Sequence, residues 1–236
     1  TVVGAGEWPA GRNCHPDYFA EELARLGPRG REAGRPQYMR WAQQEQENLR
    51  SAVEWALDAD VKAAIPIIFD LCLHWIQRGS TREGRALLAR ALARTDASPE
   101  VWHGDGRDVQ HQSLLGTAWF ADGMMALFGG DTAGGRSAME KAIALLRPLG
   151  DSDLLAGAYG FAGIAAGNSQ DFTTALAYSE QALRLARQLG NRWIEAMQLI
   201  TLGVASRYGA DTGGEDWVGF ETGEATRGGR GEREGW

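Results

Sequence analysis

Two stretches of the chain, WFADGMMALFGGDTAGG at 119–135 and YGFAGIAAGNSQDFTTA at 159–175, share one order of large, small and acidic positions. In each stretch a glycine precedes an aspartate by eight residues, and the pattern returns a third time at Gly203 and Asp211. The successive glycines lie about 40 residues apart, a period typical of stacked helical hairpins. Each hairpin in such an array buries its apolar face only against its neighbours, so the sequence predicts a helical repeat fold.

Small residues in the repeat predict close contacts between helices. Gly123, Gly163 and Gly203 fall midway along the first predicted helix of each unit, and Ala142 and Ala182 fall on the second. Helix axes approach closely only where side chains are small, so we expect these positions at helix–helix contacts. Large side chains stand four residues before each glycine, and we expect them to fill the gaps between units: Trp119, Tyr159 and Leu199.

Changes in composition divide the chain into four regions. Residues 1–14 show no apolar period, so we expect a disordered N-terminal segment there. Residues 15–58 predict a helical linker or capping region, and residues 59–211 predict the repeats. Glycine is too frequent in residues 212–236 for a stable helix, which indicates a disordered or non-native tail. The expected units within the repeats are 61–95, 113–150 and 153–190, followed by a partial unit at 193–211.

Apolar periodicity predicts one long helix from Pro36 to Leu57 and then a series of antiparallel helix pairs. We expect Gly79-Ser80 to form the turn of the first pair, and Asp131 and Asp171 to cap second helices. The steps Gly150-Asp151 and Gly190-Asn191 are expected to stop one helix and cap the next. The predicted helices of the repeats are 61–78, 81–94, 109–128, 133–149, 154–167, 173–189 and 193–208.

The order of small and acidic positions resembles the tetratricopeptide repeat. This resemblance implies an all-α fold, a right-handed superhelical solenoid of antiparallel helix pairs. The units exceed the usual length of about 34 residues, so their helices or turns must be extended. The clearest copy is Tyr159, Gly163, Asp171, Ala175 and Ala182; the second is Trp119, Gly123, Asp131, Gly135 and Ala142; a degenerate one is Cys72, Trp75, Gly79, Gly84, Leu88 and Ala91.

Long units of this kind resemble the sensor arrays of bacterial STAND-type transcriptional regulators, multidomain signalling ATPases related to maltose-type and antibiotic-pathway activators. The stretch ENLR at 47–50 resembles the linker helix before the repeats, and HPDYF at 15–19 resembles the helix after the ATPase module. The chain has no G-x-x-x-x-G-K-[ST] loop and no recognisable helix-turn-helix reader. The resemblance therefore implies a sensor arm whose ATPase and DNA-binding domains lie elsewhere in a longer protein. The missing initiator Met also indicates a fragment.

Composition excludes several classes of partner. The net charge of −7 argues against a nucleic-acid surface, which needs a basic stripe, although a local basic patch stays open. No apolar stretch has the length of a membrane span, and the first residues lack a signal-peptide pattern. Two cysteines are too few for a disulfide framework, and we expect Cys72 to be a buried, inert thiol. These observations predict a cytoplasmic protein that contacts neither nucleic acid nor membrane.

No set of residues has the spacing of a catalytic site, so we expect no enzymatic activity, cofactor or metal. His103, Asp105, Asp108 and His111 cluster in the longest connector, but their spacing matches no standard zinc or calcium loop. His74 lies in an apolar helix, where we expect a satisfied core or groove histidine rather than a catalyst.

The candidate binding site is the concave face that the first helices line in tetratricopeptide arrays. Most positions transferred by register are apolar, whereas a peptide-carboxylate clamp needs Arg, Lys and Asn. We therefore expect an apolar groove for an amphipathic segment of a protein or peptide partner, or for an apolar small ligand. The alternative is tighter curvature, in which these side chains pack on one another. The groove positions are Phe69, Leu73, Ile76, Gln77, Phe120, Met124, Leu127, Phe128, Ile164, Asn168, Met197, Ile200, Val204, Arg207 and Tyr208.

The function predicted is a non-enzymatic interaction and sensing module of a bacterial signalling or transcriptional regulator. Partner binding would shift the stacking angle between units and so bias an attached ATPase, a step that the family resemblance alone implies. The alternative is a free-standing scaffold that bridges two proteins. A nucleotide-binding loop encoded immediately upstream of Thr1 would favour the regulator.

Overall fold

The described part of the chain is almost entirely helical. The computed structural model describes residues 35–97 and 107–210, and these contain nine α-helices and no β-strand. The predictions for residues 1–34, for the connector at 98–106 and for residues 211–236 lie outside the described residues. The helices are α1 (Arg35–Gln44), α2 (Gln46–Ala59), α3 (Val61–Arg78), α4 (Thr81–Ala97), α5 (Arg107–Phe128), α6 (Thr132–Leu146), α7 (Asp153–Asn168), α8 (Phe172–Leu189) and α9 (Arg192–Ala210), with a 3-10 turn at Arg147–Leu149.

The helices predicted for the repeats agree with the observed ones to within about three residues at each end, the usual uncertainty of helix boundaries. The single helix expected from Pro36 to Leu57 is wrong, because it is interrupted at Glu45. Glu45 has ψ of 13°, and its carboxylate accepts a hydrogen bond of 2.6 Å from the Asn48 amide. Backbone bonds from the Glu45 N–H to Trp41 and from the Leu49 N–H to Glu45 span this point, so the interruption is a local irregularity at one residue.

Helices that are adjacent in the chain pack against each other. The largest contacts join α5 with α6, α7 with α8, and α8 with α9, and α6 also packs on α7. First helices of successive pairs touch as well: α3 contacts α5, α5 contacts α7, and α7 contacts α9. The described helices from α3 onward therefore form a row of hairpins in which each pair is packed on the next.

One turn geometry recurs where the first helix of a pair meets the second. Gly79, Gly130 and Gln170 have φ of 69°, 86° and 61°, and Gln170 is the only non-glycine with positive φ among the described residues. In each turn the next N–H donates to the carbonyl five residues back, the arrangement of a Schellman motif. These bonds are Ser80 to Trp75, Asp131 to Ala126, and Asp171 to Ala166.

Side-chain caps begin the second helices of the last two pairs, as predicted. The Asp131 carboxylate accepts a hydrogen bond of 2.9 Å from the Gly134 N–H, and Asp171 accepts one of 3.2 Å from Thr174. Each cap satisfies a backbone donor that the first turn of a helix leaves without a partner.

The predicted cap is present at the start of α9 but not at the start of α7. Asn191 caps α9 by accepting from the Ile194 N–H at 3.0 Å, as expected. The prediction that Asp151 caps α7 is wrong, because Ser152 accepts from the Leu155 N–H instead, at 3.2 Å. Two polar residues follow Gly150 in succession, and the second, Ser152, has the extended backbone of an N-cap.

Gly123 and Gly163 lie at close contacts between the two helices of a pair, which confirms the prediction for them. A Cβ atom added at Gly123 would lie 2.8 Å from Met139 on α6. One added at Gly163 would lie 2.7 Å from the Ser179 hydroxyl on α8. No described atom lies within 4 Å of a Cβ at Gly203, so the described residues do not show the predicted close contact there.

The large side chains before these glycines contact their own pair. Trp119 on α5 lies under the Lys141 ammonium of α6, at 3.9 Å from the ring centroid. Tyr159 on α7 packs on Tyr178 of α8 with centroids 6.0 Å apart. Leu199 is 49% exposed. We expected these residues to fill gaps between units, whereas the two aromatic rings pack within one.

Two main apolar clusters form the core. The first joins α1 through α5 and includes Ile68 and Leu88; the second joins α5 through α9 and includes Met139 and Leu185. Cys72 lies in the first cluster, and burial, followed by the nearby charges of Asp70 and Asp122, raises the pKa of its thiol far above the usual range. The expectation of a buried thiol at Cys72 is confirmed.

A charged contact links successive pairs, and we call it the arginine clamp. Arg85 on α4 contacts Asp131 at 3.0 Å, and Arg136 on α6 contacts Asp171 at 3.0 Å. Arg85 follows Gly84, and Arg136 follows Gly135. In both contacts the aspartate caps the second helix of the next pair: Asp131 caps α6, and Asp171 caps α8. Leu176 stands at the corresponding position of α8, so the clamp does not continue there.

Candidate interaction surface

The predicted groove positions all lie on the first helices of the pairs, α3, α5, α7 and α9. They differ in how far they reach the surface, so only part of the set is available to a ligand. Half-buried positions are Phe69, Leu73, Ile76, Met124, Leu127, Ile164, Met197, Val204 and Tyr208; exposed ones are Gln77, Phe128, Asn168, Ile200 and Arg207; Phe120 is buried.

Four phenylalanine rings form a continuous line across α3, α5 and α7, which we call the phenylalanine row. Phe120 lies 6.0 Å from Phe69 and 5.9 Å from Phe161, and Phe161 lies 6.2 Å from Phe128. All three pairs are edge-to-face, the arrangement that aromatic rings prefer. Phe120 and Phe161 are buried, whereas Phe128 is 41% exposed. Part of the predicted surface thus packs on itself, and the row reaches solvent at Phe128.

Sequence reasoning missed Phe161, a member of this row. Gly160 is the residue that corresponds to Phe120 in the next unit of the repeat. Transfer of the groove positions by register therefore did not select Phe161, which comes one position later. The ring of Phe120 instead lies against Gly157, where an added Cβ would be 3.1 Å from it. A large ring facing a glycine on a neighbouring helix can indicate a close contact in the sequence. Such a pair is recognised only when it is known which helices touch.

Three of the six large apolar side chains that are exposed among the described residues lie on α9. Trp193, Leu199 and Ile200, all on α9, are 55%, 49% and 59% exposed. Trp193 was not singled out from the sequence, because exposure depends on which element covers a helix rather than on its pattern. Tyr208, at the end of the same helix, stacks on Phe172 with centroids 6.4 Å apart.

The last predicted groove positions, Arg207 and Tyr208, bring a positive charge next to an aromatic ring. The Arg207 guanidinium lies 5.9 Å from the ring centroid of Tyr208, a cation–π distance. Arg207 is exposed, so it is available to an acidic group next to an apolar segment. Asn168 on α7 is the other exposed polar position of the carboxyl-terminal half of the groove.

The described residues place no cluster of metal-ligating side chains on this surface. Among the described side chains there is no group of three or more His, Cys, Asp or Glu placed to hold a metal ion. Of the connector cluster, His103 and Asp105 lie outside the described residues, and His111 lies on α5.

His74 is buried in α3, at 4% exposure, as a core histidine should be. Burial first, and then the charge of Arg78, lower the pKa of its imidazole. The expectation that it is satisfied is wrong, because its Nδ1 atom has no hydrogen-bond partner among the described residues. A buried polar atom without a partner is uncommon and calls for an explanation.

No family model and no curated relative matches the chain. Within residues 35–97 and 107–210, no helix combines the length and apolar character needed to cross a membrane.

Proposed function

We propose that the chain is a non-enzymatic interaction and sensing module built as a tetratricopeptide-like array. In this proposal the hairpins α3–α4, α5–α6 and α7–α8, with α9 opening a fourth unit, follow a right-handed superhelix whose first helices line a groove. The observation that carries it is the recurrence of one turn, one cap and one glycine contact in successive pairs. A repeated joint of this kind is what a stacked array requires.

The ligand proposed for the groove is an amphipathic helical segment of a protein partner. Exposed apolar side chains at Phe128 and Ile200 offer the contacts that such a segment buries, and Arg207 offers a charge for its polar edge. A peptide carboxylate fits less well, because Arg207 is the only cation among the groove positions. An apolar small ligand is the alternative occupant of the same strip.

The wider role proposed is that of a sensor in a bacterial transcriptional regulator of the STAND type, working in the cytoplasm. It is supported by the resemblance of residues 47–50 to the linker helix of that family. Binding in the groove would change the stacking of the hairpins and so act on ATPase and DNA-binding domains elsewhere in the full-length protein.

The experiment that tests the groove compares two exposed apolar positions. A photo-cross-linking residue at position 200 captures the partner in cells, and its binding is then measured with purified proteins by calorimetry. We expect Ile200→Asp to weaken binding about thirty-fold, the loss typical of a central interface residue. Val109, 56% exposed on α5 and outside the groove, supplies the matched control Val109→Asp, which should bind normally.

Circular dichroism separates loss of binding from loss of fold. Both variants should keep the helicity of the unmodified chain, because a charge at an exposed helix position is well tolerated. Equal binding by both variants, or an equal loss in both, would contradict a binding site at the groove.

A further inference from the structure

A depression between α1 and α3 is lined almost entirely by polar and cationic side chains. It has a volume of about 200 Å³. Its wall comes from two helices that are separate in the chain, so a ligand there would bridge them. The lining residues are Met39, Arg40 and Gln43 of α1, and His74, Gln77 and Arg78 of α3.

The charge of this depression is opposite to that of the whole chain. Among the described residues, two arginines and no carboxylate line it, in a protein of net charge −7. Neither Arg40 nor Arg78 forms an ion pair with another described residue. Three of the four arginines of α4 are used differently, since Arg85, Arg90 and Arg94 pair with carboxylates. The two guanidinium groups are thus available to an anion.

His74 gives the depression a second polar feature. Its imidazole is in the wall and is 4% exposed, and its Nδ1 atom has no partner among the described residues. The imidazole also borders a smaller hollow between α2, α3 and α4, whose lining includes Arg50, Arg78 and Glu83. A hydrogen-bonding ligand atom would satisfy this nitrogen, whereas an apolar ligand would leave the cost of its burial in place.

We propose that the depression binds a small oxyanion, the phosphate or carboxylate group of a small ligand. Arg40 and Arg78 supply charged donors from two helices, and guanidinium groups match the geometry of both anions. The amides of Gln43 and Gln77 add neutral donors, and His74 donates from Nδ1 when that nitrogen carries the ring proton. The volume is below the range of about 300–1,000 Å³ usual for drug-sized ligands, which favours a phosphate-sized group.

The proposed anion site adjoins the groove, but its two arginines, Arg40 and Arg78, are not groove positions. Gln77 belongs to both, as a groove position and as a lining residue. An anion that joins α1 to α3 would fix the first described helix against the row of hairpins. Anion binding and partner binding can therefore be measured separately in the same protein.

The test titrates the full chain with inorganic phosphate, pyrophosphate and succinate at constant ionic strength, by calorimetry and thermal unfolding. We expect saturable binding of at least one anion with one ligand per chain, and a rise in Tm that follows the ligand concentration. Arg40→Gln with Arg78→Gln should weaken binding about thirty-fold or more, because it removes both charged donors of the depression. Binding of phosphate and pyrophosphate alone identifies a phosphate ligand, and binding of succinate alone identifies a carboxylate.

A matched control removes the same charge elsewhere. Arg184→Gln with Arg192→Gln, both at exposed positions of α8 and α9, should leave anion affinity within about twofold. Gln43→Ala with Gln77→Ala supplies a second probe that keeps the charge, and it should weaken binding less than the arginine pair. Equal losses in the two arginine pairs, or no saturable binding of any of the three anions at millimolar concentration, would overturn the proposal.

Discussion

At the scale of single residues, Gln170 occupies the left-handed position that glycine takes in the two equivalent turns. A side chain in this conformation costs roughly 1 kcal/mol relative to glycine. We expect Gln170→Gly to raise the free energy of unfolding by about that amount in urea titrations. Gln181→Gly, at an exposed position midway along α8, should lower it by up to about 1 kcal/mol, because glycine weakens a helix interior. A loss of stability in Gln170→Gly would contradict this account of the turn.

Gly163 and Gly203 are equivalent in the repeat but differ in their surroundings, and one substitution should have opposite effects at the two sites. A Cβ at Gly163 would meet the Ser179 hydroxyl at 2.7 Å and the Ala175 carbonyl at 3.2 Å, and a backbone atom cannot move aside cheaply. We expect Gly163→Ala to destabilise the fold by about 1–2 kcal/mol.

Gly203→Ala should instead stabilise the fold by up to about 1 kcal/mol, because alanine favours a helix and no described atom is within 4 Å. Urea unfolding of both variants measures the two signs. A destabilising Gly203→Ala would mean that residues beyond 210 pack on this face of α9.

The residues that sequence reasoning placed correctly act locally. Asp131, Asp171 and Asn191 cap helices because their side chains reach a backbone N–H three residues ahead, a contact that the order of residues determines. Phe161 was missed, and Trp119 was assigned to a gap between units, because both depend on which helices touch. Contacts of that kind follow from packing, and one sequence does not specify them.

At the scale of elements, the caps of α6 and α8 link stability to pH. The pKa of Asp131 is lowered chiefly by the Gly134 N–H and then by Arg85. The pKa of Asp171 is lowered by hydrogen bonds from Thr174 and then by Arg136. The unfolded chain therefore binds more protons at low pH, and the stabilisation is lost as pH falls through the folded-state pKa values.

We expect Asp131→Asn with Asp171→Asn to reduce the acid dependence of unfolding. Asparagine retains the cap but does not titrate, so the difference in unfolding free energy between neutral and acidic pH should shrink. Urea titrations across this pH range measure it. Glu47→Gln with Glu180→Gln removes the same charge from positions that cap no helix, and an equal effect there would assign the change to net charge.

The helix pairs themselves could be predicted from the sequence. Their helices show an apolar period, and all but one of the turns with a left-handed residue have glycine there, the exception being Gln170. The interruption at Glu45 was not, because the stretch around it keeps that period on both sides. It is confined to the backbone of Glu45, whose carboxylate also accepts a hydrogen bond from the Asn48 amide.

At the scale of the whole molecule, the row of hairpins is least anchored at α9. Gln198 on this helix is buried, yet both polar atoms of its amide lack a partner among the described residues. Leu199 and Ile200 are about half exposed. Local opening is easiest where few apolar groups are buried and polar groups are unsatisfied, so α9 should open before α5 and α7.

Hydrogen exchange followed by mass spectrometry measures this order. We expect the amides of α9 to exchange faster than those of α5 and α7 under native conditions. Addition of a groove-binding partner should slow exchange in α9 most. Equal protection of the three helices in the free chain would contradict the predicted order.

The arginine clamp also determines how the molecule responds to tension. Arg85 and Arg136 each fasten one hairpin to the next through a cap aspartate, whereas Leu176 replaces that arginine at the last described junction, where an ion pair of 2.9 Å between Arg187 of α8 and Glu195 of α9 joins the helices instead. A chain pulled by its carboxyl end should therefore peel from that end, with α9 detaching at the lowest force. The hairpins held by Asp171 and Asp131 would follow in turn, so the array would lengthen in ordered steps rather than rupture at once.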